Sequence, residues 1–155
     1  MTAEALWPYA LEVYGRPGVE PLLLALQDAH GQCPPYLLWS LWMAASGRSA
    51  DDTALRSGAA LARAWQDAAI APLRRLRRDL KTDPKPGPKP ARERLRQGVK
   101  KLELDAERML LQMLEEASPA AIAAATPPLE ALVRAARAWG GDLPAADLAR
   151  LADLA

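Results

Sequence analysis

The chain has 155 residues, half of them hydrophobic, which is enough for one buried core, and its near-neutral formal charge of +1 conceals a very uneven distribution. Phenylalanine is absent, alanine and leucine dominate and β-branched residues are few, so an all-α fold is expected. With one cysteine, Cys33, and one histidine, His30, an internal disulfide is excluded and the usual zinc ligand sets cannot be assembled in a monomer.

Leu6 to Tyr14 reads as a short helix that tolerates Pro8 in its first turn, with Gly15 supplying a left-handed stop. After the turn Arg16-Pro-Gly-Val19, the helical recurrence of Val19, Leu22, Leu23, Leu26 and His30 predicts a second helix from Pro17 to His30, ended by Gly31. A third starts after Pro34-Pro35. Leu37, Leu38, Leu41, Trp42 and Ala45 give it a broad apolar face, Trp39 lies to one side, and Ser46-Gly47 closes it.

Two long helical patterns between Asp52 and Met113 organise the rest. Leu55, Ala59, Ala62, Trp65, Ala69, Leu73, Leu76 and Leu80 recur at spacings of about 3 and 4 on the first. Pro72 removes a backbone donor there, so a kink or break near Ala68 to Ala71 is expected. On the second, Leu95, Val99, Leu102, Ala106, Met109 and Met113 form a heptad seam too short for a free coiled coil. The two patterns predict an antiparallel hairpin, and a seam left partly exposed would also serve a homodimer. Prolines 84, 86, 88 and 90 with Gly87 make residues 82–90 a semi-rigid exposed loop. From Arg74 to Lys101 twelve Lys or Arg (Arg74, Arg75, Arg77, Arg78, Lys81, Lys85, Lys89, Arg92, Arg94, Arg96, Lys100, Lys101) face three acids, so that segment is +9 and the other 127 residues are −8.

In the tail, Pro127-Pro128 precede an amphipathic helix carrying Leu129, Leu132, Val133, Ala136 and Trp139 and ended by Gly140-Gly141. Asp142 is the expected N-cap of a last helix with Leu148, Leu151 and Leu154. These helices either cover the core or dock a partner, since amphipathicity alone does not say whose groove is filled. The expected organisation is a helical domain over 1–118 and a C-terminal extension, 119–155, packing on it.

The run Tyr14-Gly-Arg-Pro-Gly-Val19, then Leu24-Ala-Leu-Gln-Asp-Ala-His-Gly31 and Leu37-Leu38 to Trp42, resembles the proteobacterial domain-of-unknown-function family numbered 2390. Pro72-Leu-Arg-Arg-Leu-Arg-Arg-Asp-Leu-Lys81 and Arg96 with Val99-Lys-Lys-Leu-Glu-Leu-Asp-Ala-Glu-Arg108 add to the likeness, which covers roughly residues 6–116. The resemblance implies an intracellular bacterial helical protein and no assigned activity. The proline-lysine loop and everything after Ser118 depart from the family pattern.

No motif carries catalysis: there is no Cys-x-x-Cys, His-Glu-x-x-His, phosphate-binding glycine loop or Gly-x-Ser-x-Gly elbow, and no cofactor is expected. Glu103 and Glu107 share a helix face but lack the histidine a di-metal site requires, and read as solvated charge. Tyr14, Arg16, Gln27, Asp28 and His30 form a polar corner. It reads as hydrogen-bonding glue, with Arg16 paired to Asp28, or as the wall of a pocket completed by Trp39 or Trp42. No apolar run approaches the ~20 residues of a membrane span, and Glu4 without a basic segment does not read as a secretory signal, so a cytoplasmic location without a membrane partner is expected.

The basic segment is the strongest lead. Its charge suits an acidic protein partner or phosphates, but aromatics are missing from Leu73 to Lys101, so any contact with nucleic acid would be to the backbone. The expectation is a non-enzymatic adaptor or regulator acting through this tip. RNA, DNA or ribosome binding is the alternative, and small-molecule binding or catalysis at the Tyr14 to His30 corner is third.

Overall fold

A computed structural model describes residues 5–122 and 124–155; Glu4 lies outside them. Among these residues there is no strand, only an isolated bridge between Arg48 and Ala121, and the protein is all-α. Helix α1 (Leu6–Tyr14) buries Leu6, Ala10 and Val13. Its first turn is capped from a distance: the Leu6 amide donates to Glu115 Oε1 at 3.0 Å, supplying an acceptor that Ala5 cannot. Gly15 is not the left-handed residue; its φ is −76°, and the left-handed position is Gly18 (φ 86°), at the entry to α2 (Val19–His30). The physical reason is that α1 unwinds through short-range bonds, Arg16 N to Val13 O and Val19 N to Arg16 O, so the reversal comes one turn later, at the start of α2. Gly31 (φ 64°) closes α2 as its position demands.

Helix α3 (Pro34–Ala45) is the centre of the core. Every residue from Pro35 to Ala44 is buried, so it is apolar all round rather than amphipathic. Its aromatic polar atoms find partners: Tyr36 Oη donates to Leu55 O at 3.0 Å and Trp39 Nε1 to Ser118 Oγ at 2.8 Å. Helix α4 (Asp52–Trp65) begins at an Asp51 cap, whose Oδ1 accepts from the Ala54 amide at 2.7 Å, and it buries Leu55, Gly58, Ala59 and Ala62.

The interruption expected before Pro72 is a widened turn. Residues Gln66–Ile70 are a π-helix, and the Ala71 amide donates to Gln66 O five residues back. The turn contains Ala68, whose α-helical donor would be the amide that Pro72 lacks. Helix α5 (Ala71–Asp79) then lies against α6 (Lys89–Glu116). Trp65 Nε1 donates to Ala106 O at 2.8 Å and Arg77 Nε to Glu103 Oε2 at 2.6 Å, so partner numbers fall as residue numbers rise.

The heptad seam is displaced. Of the seam, Val99 and Ala106 are buried and Met113 is partly buried against the core, whereas Leu95, Leu102 and Met109 are about half exposed; Glu103, Leu110, Leu111 and Leu114 complete the buried face of α6. The stripe is rotated because α6 meets α5 on its Glu103 side and α1 and α3 further along, rather than one partner throughout. Helix α7 (Pro128–Trp139) packs on α3 and α4, and α8 (Ala145–Leu154) on α2 and α7. Their buried residues, including Leu132, Trp139, Leu148 and Leu151, join the same core as α3. Asp142 does not cap α8; Pro144 stands at that position, and Asp142 O instead accepts from Gln32 Nε2 at 3.3 Å.

Candidate functional site

Pairing divides the twelve cations of the basic segment into two groups. Arg74 and Arg77 are part of the fold: the Glu103 carboxylate accepts from Arg74 Nε at 3.1 Å and from Arg77 Nε at 2.6 Å and Nη2 at 3.3 Å. Glu103 is only 7% exposed, so it is a buried anion between two guanidinium groups and not solvated charge as its spacing suggested. Donating these hydrogen bonds to Glu103 also pushes the Arg77 guanidinium above its ordinary range. Arg78 reaches Asp28 at 3.0 Å. Arg92 Nη2 donates to Asp83 at 2.6 Å and Nη1 to Lys85 O at 3.4 Å, while Lys89 approaches Asp83 at 3.4 Å. These contacts tie the proline loop back onto the start of α6. Arg96 is held by Glu93, whose carboxyl is lowered to about 2 by hydrogen bonds from Arg96 and Gln97.

The remaining six, Arg75, Lys81, Lys85, Arg94, Lys100 and Lys101, are exposed and make no ion pair within 4 Å among the described residues. Arg94 and Lys101 are seven positions apart on α6 and share one stripe. Unpaired positive charge therefore lies on α5, on its connection to α6 and along the first half of α6, among arginines that are already engaged.

The polar corner does not hold together as one site. Arg16 pairs with Glu12 at 2.9 Å and approaches Leu154 O at 3.4 Å; it does not meet Asp28, because α8 occupies the space beside it. Asp28 goes to Arg78, and its carboxyl is lowered by hydrogen bonds from Gln27 and Arg78. His30 Nε2 stands 3.5 Å from Asp147 of α8, and Cys33 is fully buried, its thiol pushed up to about 12 by desolvation. Trp39 is 2% exposed in the core, and Trp42 is equally buried with Arg48 stacked 4.4 Å from its ring centroid.

Two of the corner residues, Tyr14 and Gln27, do line a cavity of about 140 Å³ between α1, α2, α3 and α6. Trp7, Leu11, Leu24, Pro34, Leu38, Leu104 and Leu111 make it largely apolar, and Glu107 supplies the carboxylate of its wall. Burial, and then the neighbouring charge of Glu103, raise the Glu107 carboxyl to about 7 against the opposing pull of Arg74 and Arg77. Its one ion pair among the described residues is a 3.7 Å approach by Arg74, itself bonded to Glu103. Desolvation and the nearby Glu20 and Glu107 raise the Tyr14 phenol to about 12, so it is a neutral hydroxyl at any physiological pH. Of this lining the sequence pointed only to Tyr14 and Gln27; Leu104, Glu107 and Leu111 reach it through the approach of α6.

Among the described residues no three His, Cys, Asp or Glu are grouped to hold a metal ion, and no helix is long and apolar enough to cross a membrane. No curated protein and no solved structure matches the chain. The family model described as "Protein of unknown function (DUF2390)" matches residues 5–114, a span that contains the basic end and every residue lining the α1–α2–α3–α6 cavity, and the chain belongs to that family.

Proposed function

We propose that the protein is a non-catalytic adaptor that binds an acidic protein segment through the exposed cations at the α5–α6 end. The observation that carries this reading is the division of the basic residues: Arg75, Lys81, Lys85, Arg94, Lys100 and Lys101 are exposed without an ion pair among the described residues, whereas local acids hold Arg74, Arg77, Arg92 and Arg96. A cluster of unpaired charge on a folded base steers an oppositely charged partner toward it and fixes register more than it adds affinity. The proline loop, held by Arg92, loses little freedom on binding. Aromatic side chains are absent from 73–101, which favours a carboxylate-rich surface over stacked bases.

The test is a lysate pull-down, with and without nuclease, comparing wild type with a chain in which Arg75, Lys81, Lys85 and Arg94 are changed to Glu. Arg74 and Arg77 stay untouched so that the fold is kept. A nuclease-resistant acidic protein that the variant loses is the expected outcome. Retention that vanishes with nuclease would transfer the same surface to phosphate backbones. Equal behaviour of the two chains would remove the basic end from the function.

A further inference from the structure

We infer that the cavity between α1, α2, α3 and α6 is a binding site for a small organic ammonium ion, its compact apolar body among the leucines and its nitrogen on the Glu107 carboxylate. Size is the first argument. At about 140 Å³ the space, open to solvent past the half-exposed Leu11, Leu24 and Leu104, admits a single ring or short alkyl group and is too small for a drug-sized ligand. Chemistry is the second. The wall is Trp7, Leu11, Leu24, Leu38, Leu104 and Leu111, and the polar groups that join it are Glu107, Tyr14 and Gln27.

Glu107 is poorly served by the fold. Glu103 takes the close hydrogen bonds of Arg74 and Arg77, and Glu107, its side chain 30% exposed at the pocket mouth, is left with a 3.7 Å approach as its protein partner. An under-paired carboxylate beside an apolar cavity gains most from a cation that brings its own hydrogen-bond donors. A carboxylate ligand would meet Glu107 and, beyond it, Glu20 near Tyr14, and is disfavoured by charge. This inference is independent of the basic end: the site takes a small molecule, not an acidic chain.

The groups facing Glu107 are Arg74 and Arg77 from α5, Glu103 on its own helix, Tyr14 from α1 and the Cys33 thiol before α3. The experiment titrates the full ¹⁵N-labelled chain at pH 8 with three phenylethyl probes that differ in the terminal group: phenethylammonium, 2-phenylethanol and 3-phenylpropionate. Expected are saturable shifts confined to the cavity lining, with the ammonium bound about tenfold more tightly than the alcohol and the carboxylate weakest. Glu107→Gln, checked for helicity by circular dichroism, should bring the ammonium down to the alcohol's affinity and leave the alcohol unchanged. In the wild type at pH 5.5 Glu107 is protonated and the same preference should vanish without any substitution. Equal binding of ammonium and alcohol at pH 8, a preference that survives Glu107→Gln, or shifts outside the cavity would overturn the assignment.

Discussion

The same substitution at two glycines should change stability in opposite directions. Glycine to alanine inside a helix gains about 1 kcal/mol from propensity alone. Gly98, in α6, has nothing within 4 Å of an added Cβ, so the whole gain is expected there. At Gly58, in α4, the added carbon would stand 2.4 Å from both Cη2 and Cζ3 of Trp39, about 1 Å inside van der Waals contact. The indole has nowhere to go: it is 2% exposed, its nitrogen is fixed to Ser118 at 2.8 Å, and its ring lies 5.5 Å from that of Tyr36. Overpacking costs about 1–3 kcal/mol, and a rigid buried ring places this case near the top, so Gly58→Ala should lose about 2 kcal/mol net. For a chain of this size that is a fall of about 4–8 °C in Tm, against a rise of about 2–4 °C for Gly98→Ala. Thermal unfolding followed by circular dichroism reads both. If Gly58→Ala proves as stable as Gly98→Ala, the close packing of α4 on Trp39 is wrong.

Glu103→Gln should cost about 2–3 kcal/mol, discounted from a fully buried pair because the Arg74 and Arg77 side chains keep 14% and 25% exposure; urea unfolding would measure it, and a change below ~0.5 kcal/mol would contradict the buried role. Glu107 has the opposite sign. Its folded-state pKa of about 7 lies above the unfolded value, so its contribution is most favourable below ~4.5 and is lost as pH rises through 7. Glu107→Gln should therefore raise stability at pH 8 by about 1–2 kcal/mol and leave it unchanged at pH 4, in a pH series of urea melts. Trp139 ties α7 to the core through Nε1 to Gly31 O at 2.8 Å and a stacked Arg63 at 4.2 Å, so Trp139→Ala should lose about 3–5 kcal/mol; a loss under ~1 kcal/mol would mean that α7 is dispensable to the core.

The element types were legible because periodicity and turn residues act locally. Leu6–Tyr14 and the helix ending at His30 follow directly from their sequences. What escaped depended on distant partners. Glu103 is buried with Arg74 and Arg77, 29 and 26 residues away, neutralising it, and a pattern that takes carboxylates as solvent-facing adds Leu95, Leu102 and Met109 to the buried Val99 and Ala106 and leaves Glu103 out. Arg16 and Asp28 were plausible partners within one corner, yet Glu12 and Arg78 take them, the latter 50 residues from Asp28. The cavity was visible only at Tyr14 and Gln27; its carboxylate and most of its leucines came with the approach of other helices.

The π turn at Gln66–Ile70 acts as an angular offset within one continuous rod. An α-helix advances about 100° per residue, so one surplus residue in a widened turn swings everything after it by roughly that amount relative to what came before. Upstream, α4 addresses α3 and α7; downstream, α5 turns its arginines onto α6. The bearing of the α5 arginines is thereby offset from the bearing of the core face. A length change within those five residues would swing Arg74 and Arg77 off Glu103 and disturb the contacts that the turn itself makes with α6.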